Sequence, residues 1–590
     1  FWERIDNKLP KEVVYPFEDS GITKPVVSLS VSDDLSRVAV LFAHALYISN
    51  DSGRTFIRSN LDGVSSVSEL LCVAWHPRNS SLLAIGTSFS GIYLSKDTGK
   101  FWENLRQGIP GEPTASPAEL EEVRSLCWSD QENVLYGGLA NGQGLIRIGI
   151  EDARADRIMQ KELVTYPDGD FYSIDQVYCY RGQLLALTDR GKNFVTAAYP
   201  STAVADPEFL KAFSSQKSLV SFYADKKVFQ IVRNYRPKRV SQPDKRIEGV
   251  RALYISYTFT QADNFDKLVK LLDSLKLNAV VINMKDDSGY IRAPSADPVL
   301  AQIKGNISPY INLHETIQRL KKNGIYVIGR FVVFKDDLLF KFENYKYAVK
   351  TINGNPLPKG PEHWVDPYSE FVWDYNIRAA KAVLESGVDE IQFDYIRFPD
   401  RVSLETTRYD FQREGQIMRE ALESFLKRAR EEIKTPLSID LFGYMAIYKA
   451  GNSIGQDIPL MSKYVDVVSP MFYPSHYSPT FAAGFGSKQI YYLMLISCKR
   501  AKELMGGAYL RPYIQAFYYK TNWDKYQPDY IGWQLDAIKD SGNSDFIFWN
   551  NLSEYDVLIN GMKKYLGAAS TSGATTQTPK KLPFESVLEY

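Results

Sequence analysis

From about residue 248 onward the apolar residues fall into short runs, near 250–256, 278–284, 325–333, 388–394, 437–442, 465–472, 510–517 and 545–549. Runs of this length read as strands buried on both faces. Between most of them the spacing becomes that of an amphipathic helix, as over Phe265 to Leu275, Leu313 to Lys322, Phe371 to Glu385, Gln412 to Glu432 and Ile531 to Ile538. Eight strand-helix units in about 310 residues predict a (β/α)8 TIM barrel, whose chemistry gathers at the C-terminal ends of its strands. The pattern before residue 240 differs. Apolar residues there sit directly ahead of polar turns, as in Ala45-Leu46-Tyr47-Ile48 and Ile92-Tyr93-Leu94, which predicts antiparallel hairpins. Between the two patterns, Arg236-Pro237-Lys238-Arg239 to Pro243-Asp244-Lys245-Arg246 is basic and lacks apolar periodicity, marking a boundary.

The hairpins repeat. Ser49-Asn50-Asp51-Ser52-Gly53-Arg54-Thr55-Phe56 and Ser95-Lys96-Asp97-Thr98-Gly99-Lys100-Phe101-Trp102 share the pattern Ser-x-Asp-x-Gly-x-x-aromatic, and Asp189-Arg190-Gly191-Lys192-Asn193-Phe194 is a weaker copy. The aspartates lie 46 and then 92 residues apart, and Cys127-Trp128 followed by Val134 to Gly138 echoes Trp75 followed by Leu82 to Gly86. A period of about 46–53 residues is the size of a propeller blade. The motif resembles the Asp-box repeat of sialidases and other propellers. That resemblance implies a structural fold-back in which Asp closes the turn onto backbone N–H groups, Gly takes the positive φ, and the aromatic ring packs beneath. Asp51, Asp97 and Asp189 are therefore not catalytic candidates. The expected organisation is multidomain: an all-β propeller-like domain over 1–240, a TIM barrel over 248–566, and a flexible tail over 567–590, rich in small polar residues.

Composition narrows the function classes. Lys plus Arg and Asp plus Glu number 70 each, so the charge footprint of a dedicated nucleic-acid binder is missing. No apolar run approaches the 18 or so residues that span a bilayer, and a soluble protein without a transmembrane segment is expected. Four cysteines, at 72, 127, 179 and 498, lack CxxC spacing. They suggest neither a zinc site nor a disulfide scaffold, and the first three read as thiols buried in apolar strands. Five histidines form no paired metal motif, so no cofactor or resident metal is expected. The chain opens on Phe1 rather than Met, which leads to the expectation of a removed leader and an extracytoplasmic location.

The barrel's strand ends are unusually polar. Strand 2 runs into Lys285-Asp286-Asp287; strand 3 carries Arg330 and ends at Lys335-Asp336-Asp337; strand 7 holds Gln515 and strand 8 ends Trp549-Asn550. Side chains alternate along a strand, so Gln392 and Asp394 share one face of strand 4, as Ser438 and Asp440 share one face of strand 5. A buried carboxylate costs several kcal/mol unless it is paired or functional. Two carboxyls facing one cavity are what glycoside hydrolysis requires, one protonating the leaving oxygen and the other attacking or activating water. Asp394 and Asp440 are thus the catalytic candidates, with Glu390 about two positions deeper and ranked lower. Asp286, Arg330, Asp336, Gln392, Arg397, Tyr473, His476, Gln515, Trp549 and Asn550 are the candidate substrate contacts, Arg397 being also a candidate ion-pair partner for Asp394.

Four stretches, Asn283-Met284-Lys285-Asp286-Asp287-Ser288-Gly289, Asp389 to Pro399, Ser469 to Tyr477 and Phe548-Trp549-Asn550, resemble the putative glycoside hydrolase domains, a TIM-barrel family distantly similar to α-amylase-type enzymes. The resemblance covers about residues 248 to 566, and Asn283 stands where members often carry Asp. It implies a strand-4 aspartate as nucleophile and a strand-5 acid as proton donor, positions held by Asp394 and Asp440. The expected function is hydrolysis of O-glycosidic bonds in a polysaccharide or oligosaccharide, with the propeller contacting substrate or a protein partner. The alternative is a catalytically inactive carbohydrate-binding or envelope assembly protein.

Overall fold

The computed structural model describes residue 9, residues 26–105 without 65–67 and 89, and 122–150 without 130–132 and 140–143. It then describes 154–157, 174–180, 183–188, 193–197, 218–222, 228–232, and 245–571 without 257–259, 261, 309–312, 358–361, 401, 403–405, 447–453, 478–486 and 518–528. Asp189 and most of the basic boundary segment lie outside these residues.

The described first half forms four antiparallel meanders, beginning at Ser28–Val31, Leu70–Trp75, Val123–Trp128 and Ile174–Tyr180, and a two-stranded hairpin beginning at Ser218–Phe222. The first strands of the first four pack in sequence, and the first sheet also touches the fifth. The joints are close. A Cβ on Gly86 would lie 2.6 Å from the Val123 side chain of the next sheet, so only glycine fits there. Serines on one first strand receive backbone N–H groups of the next sheet, Val73 to Ser28 Oγ at 3.2 Å and Val177 to Ser125 Oγ at 3.0 Å.

The two complete copies of the repeated turn have one geometry. Asp51 Oδ1 accepts the backbone N–H of Arg54 and Thr55 at 3.0 and 2.8 Å, and Asp97 Oδ1 accepts those of Lys100 and Phe101, both at 3.0 Å. Gly53 and Gly99 hold φ of 81° and 82° and donate to Ser49 and Ser95 Oγ. Trp102 is buried, and its Nε1 donates to the Asn60 carbonyl. The cysteine expectation needs correction: Cys127 and Cys179 form a disulfide, Cα–Cα 5.9 Å, tying the third sheet to the fourth, while Cys72 and Cys498 are buried thiols. Both bonded cysteines stand on the first strands of adjoining sheets, one repeat apart.

The second half is a closed parallel barrel of eight strands: β1 (Arg251–Ile255), β2 (Ala279–Lys285), β3 (Tyr326–Val332), β4 (Glu390–Asp394), β5 (Leu437–Phe442), β6 (Val467–Met471), β7 (Tyr513–Gln515) and β8 (Phe546–Trp549). Each pairs with the next, and β8 pairs with β1. Helices Ala262–Ser274, His314–Lys322, Glu370–Glu385, Met418–Glu432, Gln489–Leu504 and Asp529–Asp540 alternate with the strands. A last helix, Asp556–Thr571, extends into the stretch expected to be a tail. Among the described residues no helix is long and apolar enough to cross a membrane.

Inside the barrel, apolar residues from β1, β2, β3, β7 and β8 pack together, among them Ala252, Val281, Ile328, Tyr513 and Ile547. The β4–β5 side is polar instead, and it is stacked in three levels by the alternation of side chains. At the bottom, fully buried Glu390 accepts two bonds from Arg511 Nη1 (2.8 and 3.0 Å), one from Ser438 Oγ (2.5 Å) and one from Tyr326 (3.1 Å). In the middle, Gln392 accepts from Tyr513 OH at 2.5 Å and donates to Ser469 Oγ at 3.3 Å. The top level holds Asp394 and Asp440.

Candidate active site

Asp394 ends β4 and lies 7% exposed. Its Oδ2 receives Arg330 Nε at 2.8 Å and Arg330 Nη2, while Oδ1 receives the Tyr395 N–H at 2.6 Å. Tyr395 pays a conformational cost for this turn, with φ of +52°. Arg330, from the adjacent β3, also donates to Asn283 Oδ1 at 2.7 Å, and Asn283 Nδ2 donates to Tyr254 OH at 2.8 Å. Burial is the largest influence and works against the Arg330 charge, but Asp394, Tyr513, Tyr254 and Asp440 together outweigh it and hold the guanidinium protonated beyond its usual range.

Asp440 is the opposite case. It is 2% exposed, and among the described residues its Oδ1 has no hydrogen-bond partner. Burial, reinforced by the Asp394 charge and only partly countered by Arg330, pushes its carboxyl well above the ordinary range. A buried carboxyl in that state is a neutral acid with a proton to give. The two carboxyls sit side by side: the β4–β5 ladder pairs Phe393 with Ile439, and the next residues are Asp394 and Asp440. Adjacent strands run about 4.8 Å apart.

Aromatic rings complete the mouth. Tyr473 is 5% exposed, and burial above all drives its hydroxyl far above its usual range. Trp549 is half-buried, packed on Tyr254 at 4.1 Å and on Tyr513 at 5.7 Å between ring centroids. His476 is exposed at the rim, its ring 5.2 Å from Tyr473.

Several expected contacts lie elsewhere. Asp336 is fully buried, paired with Lys285 Nζ at 2.7 Å and accepting the Leu339 N–H as a helix N-cap, so it has no exposed oxygen for a sugar. Asp286 closes the loop after β2 by accepting the Ser288 and Tyr290 N–H groups and pairing with Arg292 at 2.5 Å. Asn550 holds the β8 turn through Ala516 O, Glu554 O and the Leu552 N–H. Gln515 accepts from Ser475 N–H and donates to Phe517 O. Gln392 lies one level below the mouth. Arg397 pairs with Asp400 at 3.0 Å rather than Asp394, its guanidinium packed on the rings of Phe442, Trp364 and Tyr395 at 4.5, 4.6 and 5.2 Å. Tyr254, Asn283 and Tyr513 belong to the mouth region but were not among the candidates. Tyr254 and Tyr513 were legible from parity, sharing faces with Ala252 and Gln515. Among the described residues no group of three His, Cys, Asp or Glu side chains is placed to hold a metal ion.

A closed parallel barrel with a polar, carboxylate-bearing mouth at its strand ends defines the class, a TIM-barrel protein of glycosidase-like type. The chain belongs to the family described as "Putative glycosyl hydrolase domain", whose model matches residues 252–555. Among solved structures it is similar to a hypothetical protein from Ruminiclostridium thermocellum, at 34% identity over 32% of this chain and 96% of that one, with a TM-score of 0.29. It is also similar to the PgaB (BpsB) glycoside hydrolase domain from Bordetella bronchiseptica, at 12% identity over 54% and 97% of the two chains, TM-score 0.40. The α-galactosidase TtGalA from Thermus thermophilus is similar at 12% identity over 78% and 91%, TM-score 0.37. No curated protein matches the chain.

Proposed function

We propose that this protein hydrolyses O-glycosidic bonds of a polysaccharide, with Asp440 as general acid and Asp394 as nucleophile. The observation that carries the reading is the contrast at one level of the barrel: Asp440 is buried with a raised pKa and an oxygen that has no hydrogen-bond partner among the described residues, beside an Asp394 ion-paired with Arg330. Environments that push two neighbouring carboxyls apart separate acid from base. Asp440 protonates the leaving oxygen; Asp394 attacks the anomeric carbon, and water then cleaves the glycosyl ester with Asp440 acting as base. In this reading the pair is a retaining one, for which carboxyls about 5–5.5 Å apart are needed, whereas about 6.5–9.5 Å would make it inverting. Tyr473, Trp549 and His476 offer the sugar a ring-lined wall, and Arg330 orients the nucleophile.

In the same reading the four meanders and the hairpin are blades of a propeller, closed where the first sheet touches the fifth. The Cys127–Cys179 disulfide supports an extracytoplasmic location, since such bonds persist in oxidising compartments. A second reading, a carbohydrate-binding or assembly protein without turnover, is favoured by one feature: Arg330 already occupies Asp394 Oδ2 with two N–H groups. The two readings separate in one experiment. Purified protein is screened against a polysaccharide panel for new reducing ends, with Asp394→Asn as control. Hydrolysis lost in the variant supports the enzyme; binding without hydrolysis by either protein supports the second reading. The product anomer, followed by NMR, is expected to be retained, and an inverted product would recast Asp394 as a base.

A further inference from the structure

The contact between the two domains leads into the strand ends that carry Asp394 and Asp440. Glu69, 7% exposed at the start of the second sheet, pairs with Arg419 Nη2 at 3.1 Å in the first turn of helix Met418–Glu432. Arg419 Nη1 lies 3.7 Å from Asp457, whose Oδ1 caps the following short helix by accepting the Leu460 N–H at 2.9 Å. Beside this contact a Cβ on Gly415 would lie 2.8 Å from the His44 ring, so the two surfaces meet without slack.

The residue before Asp457 spans the β4–β5 seam. Gln456, 2% exposed, accepts the Phe442 N–H at 3.0 Å and donates to the carbonyls of Ile396 at 3.3 Å and Asp440 at 3.4 Å. The ladder explains why an amide is buried there. Pairing of β4 with β5 stops at Phe393 and Ile439, one residue short of the two aspartates, whereas β3–β4 pairing reaches Asp394 and β5–β6 pairing reaches Phe442. This seam opens at the mouth between the two aspartates, and its backbone groups are bridged there by the Gln456 side chain.

We propose that Gln456 is the positioning residue that sets the spacing of Asp394 and Asp440, and that the N-terminal domain acts on it through Glu69, Arg419 and Asp457. The claim about spacing rests on the catalytic reading for its effect on turnover; the mechanical claim does not. Hydrogen exchange on the full chain tests the mechanics. Gln456→Leu is expected to raise exchange at Phe442 and its neighbours. Glu69→Gln, an isosteric change, is expected to raise exchange across residues 440–457 about tenfold or more while the fold stays intact. If Glu69→Gln loosens only residues 68–76 and 415–420 and leaves 440–457 as in the wild type, the proposal is overturned. With a hydrolysed substrate in hand, Gln456→Leu should lower kcat at unchanged KM and shift the basic limb of the pH profile, because the acid moves relative to the Asp394 charge. A rise in KM alone would contradict a positioning role. If Asp394→Asn keeps full turnover, the catalytic reading fails while the exchange result still decides the route.

Discussion

The floor and the mouth of the barrel each hold an arginine-carboxylate pair, and they differ in what surrounds it. At the floor Glu390 is fully buried and accepts four hydrogen bonds, from Arg511 twice, Ser438 and Tyr326. At the mouth Asp394 is held by Arg330, but a second carboxyl, Asp440, lies next to it with an oxygen unpartnered among the described residues. Burial alone therefore does not mark a functional carboxyl, since the more buried of these carboxyls, Glu390, is the one whose oxygens are bonded. What separates them is an unmet demand for a partner, which at the mouth a substrate oxygen can satisfy.

The same chemical change should give opposite results in the two regions. Glu390→Gln leaves Arg511 buried without a countercharge and is expected to cost about 3–5 kcal/mol of stability in urea unfolding. Tyr513→Phe, one level higher, removes the bond to the Gln392 carbonyl and should cost about 1–3 kcal/mol. Asp440→Asn replaces a neutral acid by a neutral amide of nearly the same shape, so its stability cost is expected to stay below about 1 kcal/mol. Its turnover should nonetheless fall by about 10²–10⁴-fold, the contribution of a general acid. Equal stability losses for Glu390→Gln and Asp440→Asn would erase the distinction.

A third buried carboxyl sharpens the comparison through pH. Asp366 is fully buried and accepts the Tyr368 and Phe411 N–H groups at 2.9 and 3.1 Å, yet burial outweighs both and pushes it up to about 7. Its folded pKa lies above the unfolded value of about 3.9. The folded state therefore binds the proton more tightly, and the stability this contributes is present below about pH 4 and lost as pH rises towards 7. Midpoints of urea unfolding between pH 4 and 7 should fall more steeply for the wild type than for Asp366→Asn; parallel curves would contradict the assignment.

Much of the barrel was legible because each strand is a short apolar run between helices of different period, and each predicted run holds an observed strand, with β2 extending one residue beyond its run and β7 covering only the middle of its own. Parity on β4 and β5 was enough to bring Asp394 and Asp440 to one level. At the end of β2 a register shift between Asn283 and Lys285 breaks the alternation, and Lys285 pairs with Asp336 and lies over the Tyr375 ring, contacts that a periodic pattern does not show. Local pattern also cannot see partners far along the chain. Glu390 meets Arg511 across 121 residues, and Arg330 meets Asp394 across 64, so which carboxyl is satisfied was not readable. Cys127 and Cys179 stand 52 residues apart, and only the stacking of one sheet on the next brings them together.

Asp440 is expected to be a protonated acid at neutral pH, beside the Asp394 that is ion-paired with Arg330. Infrared difference spectra of wild type minus Asp440→Asn, recorded across a pH titration, measure this without a substrate. A protonated carboxyl carbonyl band that is present at pH 7 and disappears only at higher pH is the expected result. A difference spectrum at pH 7 showing only ionised carboxylate would contradict the account.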